Sequence, residues 1–247
     1  MNSARLFTSV YAHTLTRLLK RRSEVIAAPT LSVILEFALL PYGLMLYGGA
    51  LQFHVVVVTA LVATSTLSAA LAAAVLHVVE LRLGLLDQIL QVPLPRHIVL
   101  IARALAAVTA ALPPAVLSVL LSWAYVPVTV TFVAVSLVAS ILAGLSLVGL
   151  ASLVGSLSKD ISKASFAVSL ASSALTLLSP VYFPLSVLPR WLAVLLLFNP
   201  LTPAIELARS VVLSGALDVT SAVALPASSV VWLTAGTVAL KRRIEEA

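Results

Sequence analysis

Residues 104–158 read ALAAVTAALPPAVLSVLLSWAYVPVTVTFVAVSLVASILAGLSLVGLASLVGSLS and contain no Asp, Glu, Lys or Arg. A helix needs about 20 consecutive apolar residues to cross the hydrocarbon core of a bilayer, so this stretch is long enough for two crossings. The whole chain of 247 residues is 61% hydrophobic and 10% charged, with a mean hydropathy of +1.15. A water-soluble domain of this length does not have such a composition. The sequence therefore predicts an all-α integral membrane protein.

Apolar runs on both sides of this stretch bring the predicted number of membrane-spanning helices to six. Residues 1–24 have apolar side chains at helical spacing, with polar and charged side chains on the other faces, and predict an amphipathic helix on the membrane surface. Residues 184–203 contain four prolines around an apolar segment too short to cross the bilayer. We interpret them as a re-entrant or interfacial hairpin before the last span. The six predicted spans are residues 27–49, 55–79, 98–121, 128–155, 164–183 and 219–240.

The distribution of positive charge predicts the orientation in the membrane. Lys and Arg residues concentrate in the N-terminal helix, in residues 80–103, in the loop after the fourth span and in Lys241-Arg242-Arg243, which ends the last apolar run. The positive-inside rule places all of these segments on the cytoplasmic side. Residues 1–247 are therefore expected to form a single transmembrane domain in the plasma membrane, with both termini in the cytoplasm.

Few residues of this chain could support chemistry. No glycine-rich loop ends in Lys-Ser or Lys-Thr, so the chain is not expected to bind ATP by itself. There is no cysteine, and the four histidines have no partner carboxylates at ligand spacing, which argues against a metal site or a hydrolytic site. We therefore predict that the chain is not an enzyme and binds no cofactor. The net charge of +6 is explained by the Lys and Arg residues of the predicted cytoplasmic segments, so no nucleic acid is expected as a partner.

Glu36 is the one acidic residue deep inside a predicted span. An ionisable side chain at such a depth costs about 2.5–3.5 kcal/mol, so Glu36 is expected to need water, a partner or protonation. It either makes a polar contact in a translocation path or at a subunit interface, or forms a hydrogen bond that locks two helices together. The sequence leaves both interpretations open.

Two stripes of small or polar side chains each follow a single helix face, one in the fifth predicted span and one in the second. Such stripes either line a polar passage or allow close helix packing, and packing is the commoner explanation. The candidates for a translocation path or interface in these stripes are Thr59, Thr66, Ser169, Ser172 and Thr176.

A more polar segment, residues 80–97, separates the second and third predicted spans. Leu83, Leu86 and Leu90 share one helical face, and the segment reaches helix-breaking Pro93 soon afterwards. This pattern predicts a short amphipathic helix. From the residues alone, the helix either docks into the groove of a partner or lies on the bilayer.

Two separated motifs resemble those of ABC-2 type transporter permeases. Residues 179–192 read SPVYFPLSVLPRWL and residues 198–203 read FNPLTP, similar to the family's connection between spans five and six. Residues 80–90 read ELRLGLLDQIL and residues 93–96 read PLPR, similar to the family's coupling segment, with Leu85 where threonine is usual. The positions that match the connection motif are Phe183, Pro184, Pro189, Trp191, Asn199 and Pro200.

The resemblance implies an exporter built from two permease subunits and two ATP-binding subunits. ATP and Mg would then be held by the partner subunit, because this chain has no nucleotide motif. The second permease subunit is either a copy of this chain or a related chain. Closure of the ATP-binding subunits would move spans two and five. The residues that the resemblance assigns to coupling are Arg82, Gly84, Leu86, Asp87, Leu90 and Pro93.

Two other functions compete with the exporter. A proton-coupled secondary transporter would use Glu36 as its titrating group, but one intramembrane acid is sparse for a proton relay, and no inverted repeat is visible. A structural or assembly subunit would not transport anything, and the polar stripes disfavour it. Loss of transport on mutation of the stripes would distinguish the exporter from such a subunit.

Overall fold

A computed structural model describes residues 3–46, 54–65, 96–157, 160–181 and 185–245, and all regular secondary structure in these ranges is helical. A π-helical segment, Ser23–Ala27, leads into the second α-helix, and a 3-10 turn, Leu185–Val187, precedes the seventh. The α-helices are α1 (Ser3–Lys20), α2 (Ala28–Leu46), α3 (His54–Ser65), α4 (Arg96–Ser122), α5 (Val130–Leu157), α6 (Ile161–Leu177), α7 (Arg190–Leu196), α8 (Leu201–Ser214) and α9 (Val219–Glu245).

Several of these helices could cross a bilayer. Among the described residues, four apolar stretches are long enough: Ser23–Leu40, Ile101–Ser122, Val130–Ser156 and Val219–Ala239. The pair α7 and α8, bent by 107°, forms either a fifth span that is broken or a re-entrant loop. The predicted class, an all-helical protein with several membrane spans, is thereby confirmed. Six spans and a re-entrant hairpin stay predictions, because the second predicted span is described only over His54–Ser65.

Helix α5 is the centre of the described bundle. It packs against α4, α6, α8 and most extensively against α9. A Cβ atom on Gly149 of α5 would lie 2.5 Å from the carbonyl carbon of Trp232 in α9, and one on Gly236 would collide with the carbonyl oxygen of Gly149. The backbones of α5 and α9 are therefore in direct contact where the helices cross, as small residues allow in membranes.

Helix α1 packs one face against α4. Val10 and Leu18 are buried, and the apolar residues around them contact Val99 and Ala102 near the start of α4 and alanines farther along that helix. The Tyr11 hydroxyl also hydrogen-bonds the Thr109 hydroxyl at 3.0 Å. Part of the apolar face of the predicted amphipathic helix is thus covered by protein. Its position at a membrane surface stays a prediction.

Helix α6 is shorter than the predicted fifth span, which runs to residue 183. It begins at Ile161, where the carboxylate of Asp160 accepts a hydrogen bond from the Ser162 N–H at 2.8 Å, and it ends at Leu177. Pro180 follows closely, and a proline has no N–H to continue a helix. The chain therefore turns away before the predicted end of the span.

The connection to the last span contains a helix that the sequence analysis did not predict. The predicted hairpin stops at residue 203, whereas α8 begins at Leu201 and continues to Ser214. Gly215, with φ of 68°, ends the helix in the left-handed conformation that glycine adopts without strain. Most side chains of α8 are buried, so this helix belongs to the core of the bundle.

Candidate functional site: a buried polar network around helix α8

Arg209 of α8 is the largest fully buried side chain in the described part of the chain, with 2% exposure. Its guanidinium donates to the Glu206 carboxylate at 2.5 Å, to the Pro180 carbonyl at 2.8 Å and to the Val56 carbonyl at 3.2 Å. Val56 belongs to α3, and Pro180 follows α6. A charge removed from water requires partners of this kind. One guanidinium therefore joins α8 to α3 and to the end of α6.

Asn199 makes a second connection at the start of α8. Its amide nitrogen donates to the Leu175 carbonyl at 2.7 Å and to the Ser179 hydroxyl at 3.1 Å, while its amide oxygen accepts from the Leu201 N–H at 3.1 Å. Leu175 lies in the last turn of α6 and Leu201 in the first turn of α8, where backbone groups have no partner within their own helix. Asn199 is 7% exposed, so water does not readily replace these bonds.

The first prediction concerns Asn199. Replacing Asn199 by leucine is expected to lower the free energy of unfolding by about 1–3 kcal/mol, because the buried Leu201 N–H loses its acceptor and the partly buried Leu175 carbonyl loses one of its donors. Asn199→Asp is also expected to destabilise, since it keeps an acceptor for Leu201 but removes the donor to Leu175. Thermal unfolding of the purified protein in detergent measures both effects.

Thr234→Ala is the control for Asn199. The Thr234 hydroxyl is exposed and bonds only carbonyls of its own helix, so its removal should change the stability by less than about 0.5 kcal/mol. An Asn199→Leu variant as stable as Thr234→Ala would contradict the bridging role of the amide.

The predicted path residues of α3 lie beside this network. Thr59 is fully buried, and its hydroxyl donates to the Val55 carbonyl at 2.7 Å and to the Val56 carbonyl at 3.2 Å. The Val56 carbonyl is the one that also accepts from Arg209. Thr59 therefore adjoins the buried network and lines no open surface of the described chain. Thr66 lies outside the described residues.

The polar stripe of α6 is divided between surface and core. Ser169 is exposed, while Ser172 and Thr176 are half-buried, and the Thr176 hydroxyl donates to the Ser172 carbonyl at 3.1 Å. Ser179, which continues the spacing of this stripe two residues beyond α6, is buried and belongs to the network around Asn199. The helices described here place α6 mainly against α5, which leaves the first part of the stripe open. Within the described residues, burial therefore increases from Ser169 toward the end of the stripe.

Glu36 lies on an exposed face of α2. Its carboxylate accepts a hydrogen bond from the Ser32 hydroxyl at 2.7 Å, which is its one polar contact with the described residues. Leu35 and Leu39 beside it are 52% and 64% exposed. Because Ser32 is on the same helix, this hydrogen bond does not lock two helices together. Whether Glu36 makes a polar contact in a path or at a subunit interface, or locks helices through a residue outside the described ranges, stays a prediction.

The other residues singled out by motif occupy various positions. Pro189 precedes the first residue of α7, Trp191 is 66% exposed, and Pro200 is buried just before α8. Phe183 and Pro184 lie outside the described residues. The same is true of all six predicted coupling residues: Arg82, Gly84, Leu86, Asp87, Leu90 and Pro93.

Glu206 and Arg209 are residues of this site to which the sequence pattern assigned no role. Both residues lie in a stretch where Pro200, Pro203 and the charges themselves interrupt the apolar pattern. The signal that points to them is the spacing of three residues between opposite charges, which brings the two side chains together on one helix face.

The fold and the network together define a polytopic α-helical membrane protein in which a bent helix pair precedes the last span. The family model of the ABC-2 type transporter matches residues 7–213. This chain belongs to the ABC-2 type transporter family, as the two sequence motifs indicated. Permeases of this family are transport components of the membrane and generally work with an ABC ATP-binding subunit. No curated protein matches the sequence significantly.

Proposed function

We propose that this chain is the permease subunit of an ATP-driven exporter and forms its translocation path. The observation that carries the proposal is the family match over residues 7–213, which includes both motifs. Two copies of a separate ATP-binding subunit hold ATP and Mg, and residues 80–97 couple the permease to them. In this arrangement the permease has six spans in the plasma membrane, with both termini in the cytoplasm.

A second permease subunit, identical or related, completes the path. Glu36 on α2 and Ser169 on α6 are polar and exposed in the single chain. A carboxylate facing hydrocarbon is unfavourable, so a partner subunit or a water-filled path is needed at Glu36. The open faces of α2 and α6 therefore support a path between two permease subunits.

The network around α8 offers a mechanical link to this path. Arg209 and Asn199 fix α8 to α3 and to the end of α6, which belong to the predicted spans two and five. Movement of these spans on closure of the ATP-binding subunits would therefore carry the bent pair α7–α8 with it. The coupling helix must contact the open and closed ATP-binding subunits differently, because equal contact shifts no equilibrium.

Affinity purification from gently solubilised native membranes tests the proposal. The tagged chain is expected to retain a stoichiometric partner that carries a phosphate-binding loop, identified by mass spectrometry. A second tag on a co-expressed copy distinguishes a homodimer from a heterodimer of permeases. A homo-oligomer without an ATP-binding subunit would contradict the proposed exporter and favour the alternative, proton-coupled transport through Glu36.

The second prediction concerns the coupling helix. Leu86→Asp is expected to reduce the retained ATP-binding subunit about tenfold or more, because a buried leucine contributes about 1.5–3 kcal/mol. The matched control is Gln88→Asp, which adds the same charge about 200° around the helix from Leu86. Quantitative mass spectrometry of the purified complexes measures retention. Parent-level retention in both variants would refute docking through this face.

A further inference from the structure

An apolar groove of about 300 Å³ lies between α7 and α9. Val194, Leu197 and Phe198 form one wall, and Ala227, Val231 and Trp232 contribute to the other. Val194, Phe198 and Val231 are each more than half exposed, at 51%, 66% and 54%. The groove is therefore an open slot in the surface of the single chain.

The polar groups in the walls of this groove already have partners. The Trp232 indole N–H donates to the Phe198 carbonyl at 3.2 Å, and the Ser228 hydroxyl donates to the Leu225 carbonyl at 2.9 Å. A ligand in the groove would thus meet hydrocarbon surface and no side-chain donor in need of an acceptor. Such a site favours an apolar chain over water or a polar solute.

The surroundings of the groove have the composition of a surface that faces lipid. Residues 219–240 of α9 contain no charged side chain, and Val219, Val223 and Val230 are 75%, 66% and 62% exposed. An uncharged helix with exposed valines faces lipid in a membrane protein. Bilayer lipids are therefore the molecules that we expect around this slot.

Arg190 supplies a cation near one end of the slot. It shares a helix face with Val194 and Leu197, since these residues follow it by four and seven positions. Arg190 is exposed, and in the described part of the chain no carboxylate pairs with it. A cation thus lies on the same helix face as two residues that line the slot, about 10 Å along the axis from Leu197.

The size of the groove agrees with this spacing. Its volume of about 300 Å³ holds roughly ten non-hydrogen atoms, if each takes the roughly 30 Å³ of a water in the liquid. An apolar slot of this size with a cation at one end matches part of an acyl chain and the phosphate that belongs to the same lipid.

We propose that this groove binds a bilayer phospholipid, with one acyl chain between α7 and α9 and its phosphate at Arg190. The lipid covers apolar surface on both walls and holds α7 against α9. This site shares none of the residues of the buried polar network. Its occupancy requires α7 and α9 to lie in the bilayer and does not require an ATP-binding subunit, so its failure would leave the proposed exporter intact.

Fluorescence of Trp232 tests the site in the full-length protein. The chain has three tryptophans, and Trp123 and Trp191 are 69% and 66% exposed, so Trp123→Phe with Trp191→Phe leaves Trp232 as the sole indole with little disturbance of the core. The purified protein in detergent is titrated with a phospholipid brominated on its acyl chain, which quenches indoles on contact. Quenching is expected to saturate near one lipid per chain. Brominated diacylglycerol, which lacks the phosphate, should require an about tenfold higher concentration.

Substitutions then locate the two parts of the lipid. Arg190→Gln should remove the difference between phospholipid and diacylglycerol, whereas the control Arg22→Gln, at another exposed arginine, should preserve it. Ala227→Leu narrows the groove and should abolish saturable quenching by both lipids. Quenching that never saturates would overturn the site. Equal quenching by both lipids in the protein that keeps Arg190 and Ala227 would overturn it too. Complete absence of quenching would overturn it as well, since the groove would then be covered by protein.

Discussion

Replacing Arg209 by methionine is expected to lower the free energy of unfolding by about 3–5 kcal/mol, the range found when one partner of a buried ion pair is removed. Methionine fills much of the same space but donates no hydrogen bond. The Glu206 carboxylate, 18% exposed, then loses its ion pair, and the carbonyls of Val56 and Pro180 lose a donor. Thermal or denaturant unfolding in detergent measures the loss.

Further variants separate the charge from the backbone bonds. Combining Arg209→Met with Glu206→Leu is expected to recover part of the loss of stability, because no carboxylate is left unpaired, while the Val56 and Pro180 carbonyls still lack their bonds from the guanidinium. The free energy of unfolding of Arg209→Lys should lie between those of the parent and of Arg209→Met, since one ammonium cannot reproduce the planar fork of the guanidinium. Arg22→Met, at an exposed arginine, should change stability by less than about 0.5 kcal/mol. If Arg209→Met were as stable as Arg22→Met, the network would not hold α8 in place.

The long spans could be predicted from the sequence because their limits are set by hydropathy. Helix α5 (Val130–Leu157) begins and ends within a few residues of the prediction 128–155. Helix α9 starts at Val219 as predicted and continues past the basic cluster that ends its apolar run. A continuous apolar run in a bilayer has one favourable structure, the helix, since no water is present to satisfy its backbone.

The region around α8 could not be predicted in this way, because contacts between distant residues determine it. The end of α6 is fixed by Asn199, which bonds the Leu175 carbonyl from 24 residues away. Arg209 reaches Val56 across 153 residues. In a hydropathy profile these side chains are polar interruptions of an apolar run, and the profile does not indicate which residues they bond. The sequence motif therefore marked the right segment without revealing that a helix follows it.

Periodicity also predicts a shared face but not what covers that face. In the stripe of the fifth predicted span, Ser179, which lies beyond the end of α6, is buried, while Ser169 is exposed. The stripe of α3 contains Thr59, which is fully buried. Small and polar side chains suit both close packing and a polar passage, so only the neighbouring helices decide between the two.

The close contact between α5 and α9 makes the protein sensitive to any side chain added at its glycines. Gly149→Ala is expected to destabilise the protein by about 1–3 kcal/mol or more, because overpacking at a close helix contact forces the backbone to move. The added Cβ would lie 2.5 Å from the carbonyl carbon and carbonyl oxygen of Trp232, atoms that cannot rotate away as a side chain does. Gly236→Ala should have a similar effect, since its Cβ would meet the Gly149 carbonyl oxygen.

Two other glycines provide a graded control for this contact. Among the described residues no atom lies within 4 Å of a Cβ added to Gly43, so Gly43→Ala should be neutral or stabilise by up to about 1 kcal/mol through helix propensity. A Cβ on Gly144 would lie 3.0 Å from the Val108 side chain, and this side chain can shift. Gly144→Ala should therefore destabilise the protein less than Gly149→Ala but more than Gly43→Ala. Equal unfolding temperatures for Gly149→Ala and Gly43→Ala would contradict direct backbone contact. Because Trp232 also lines the apolar groove, displacement of α9 by Gly149→Ala should change its fluorescence, which Gly43→Ala should leave unaltered.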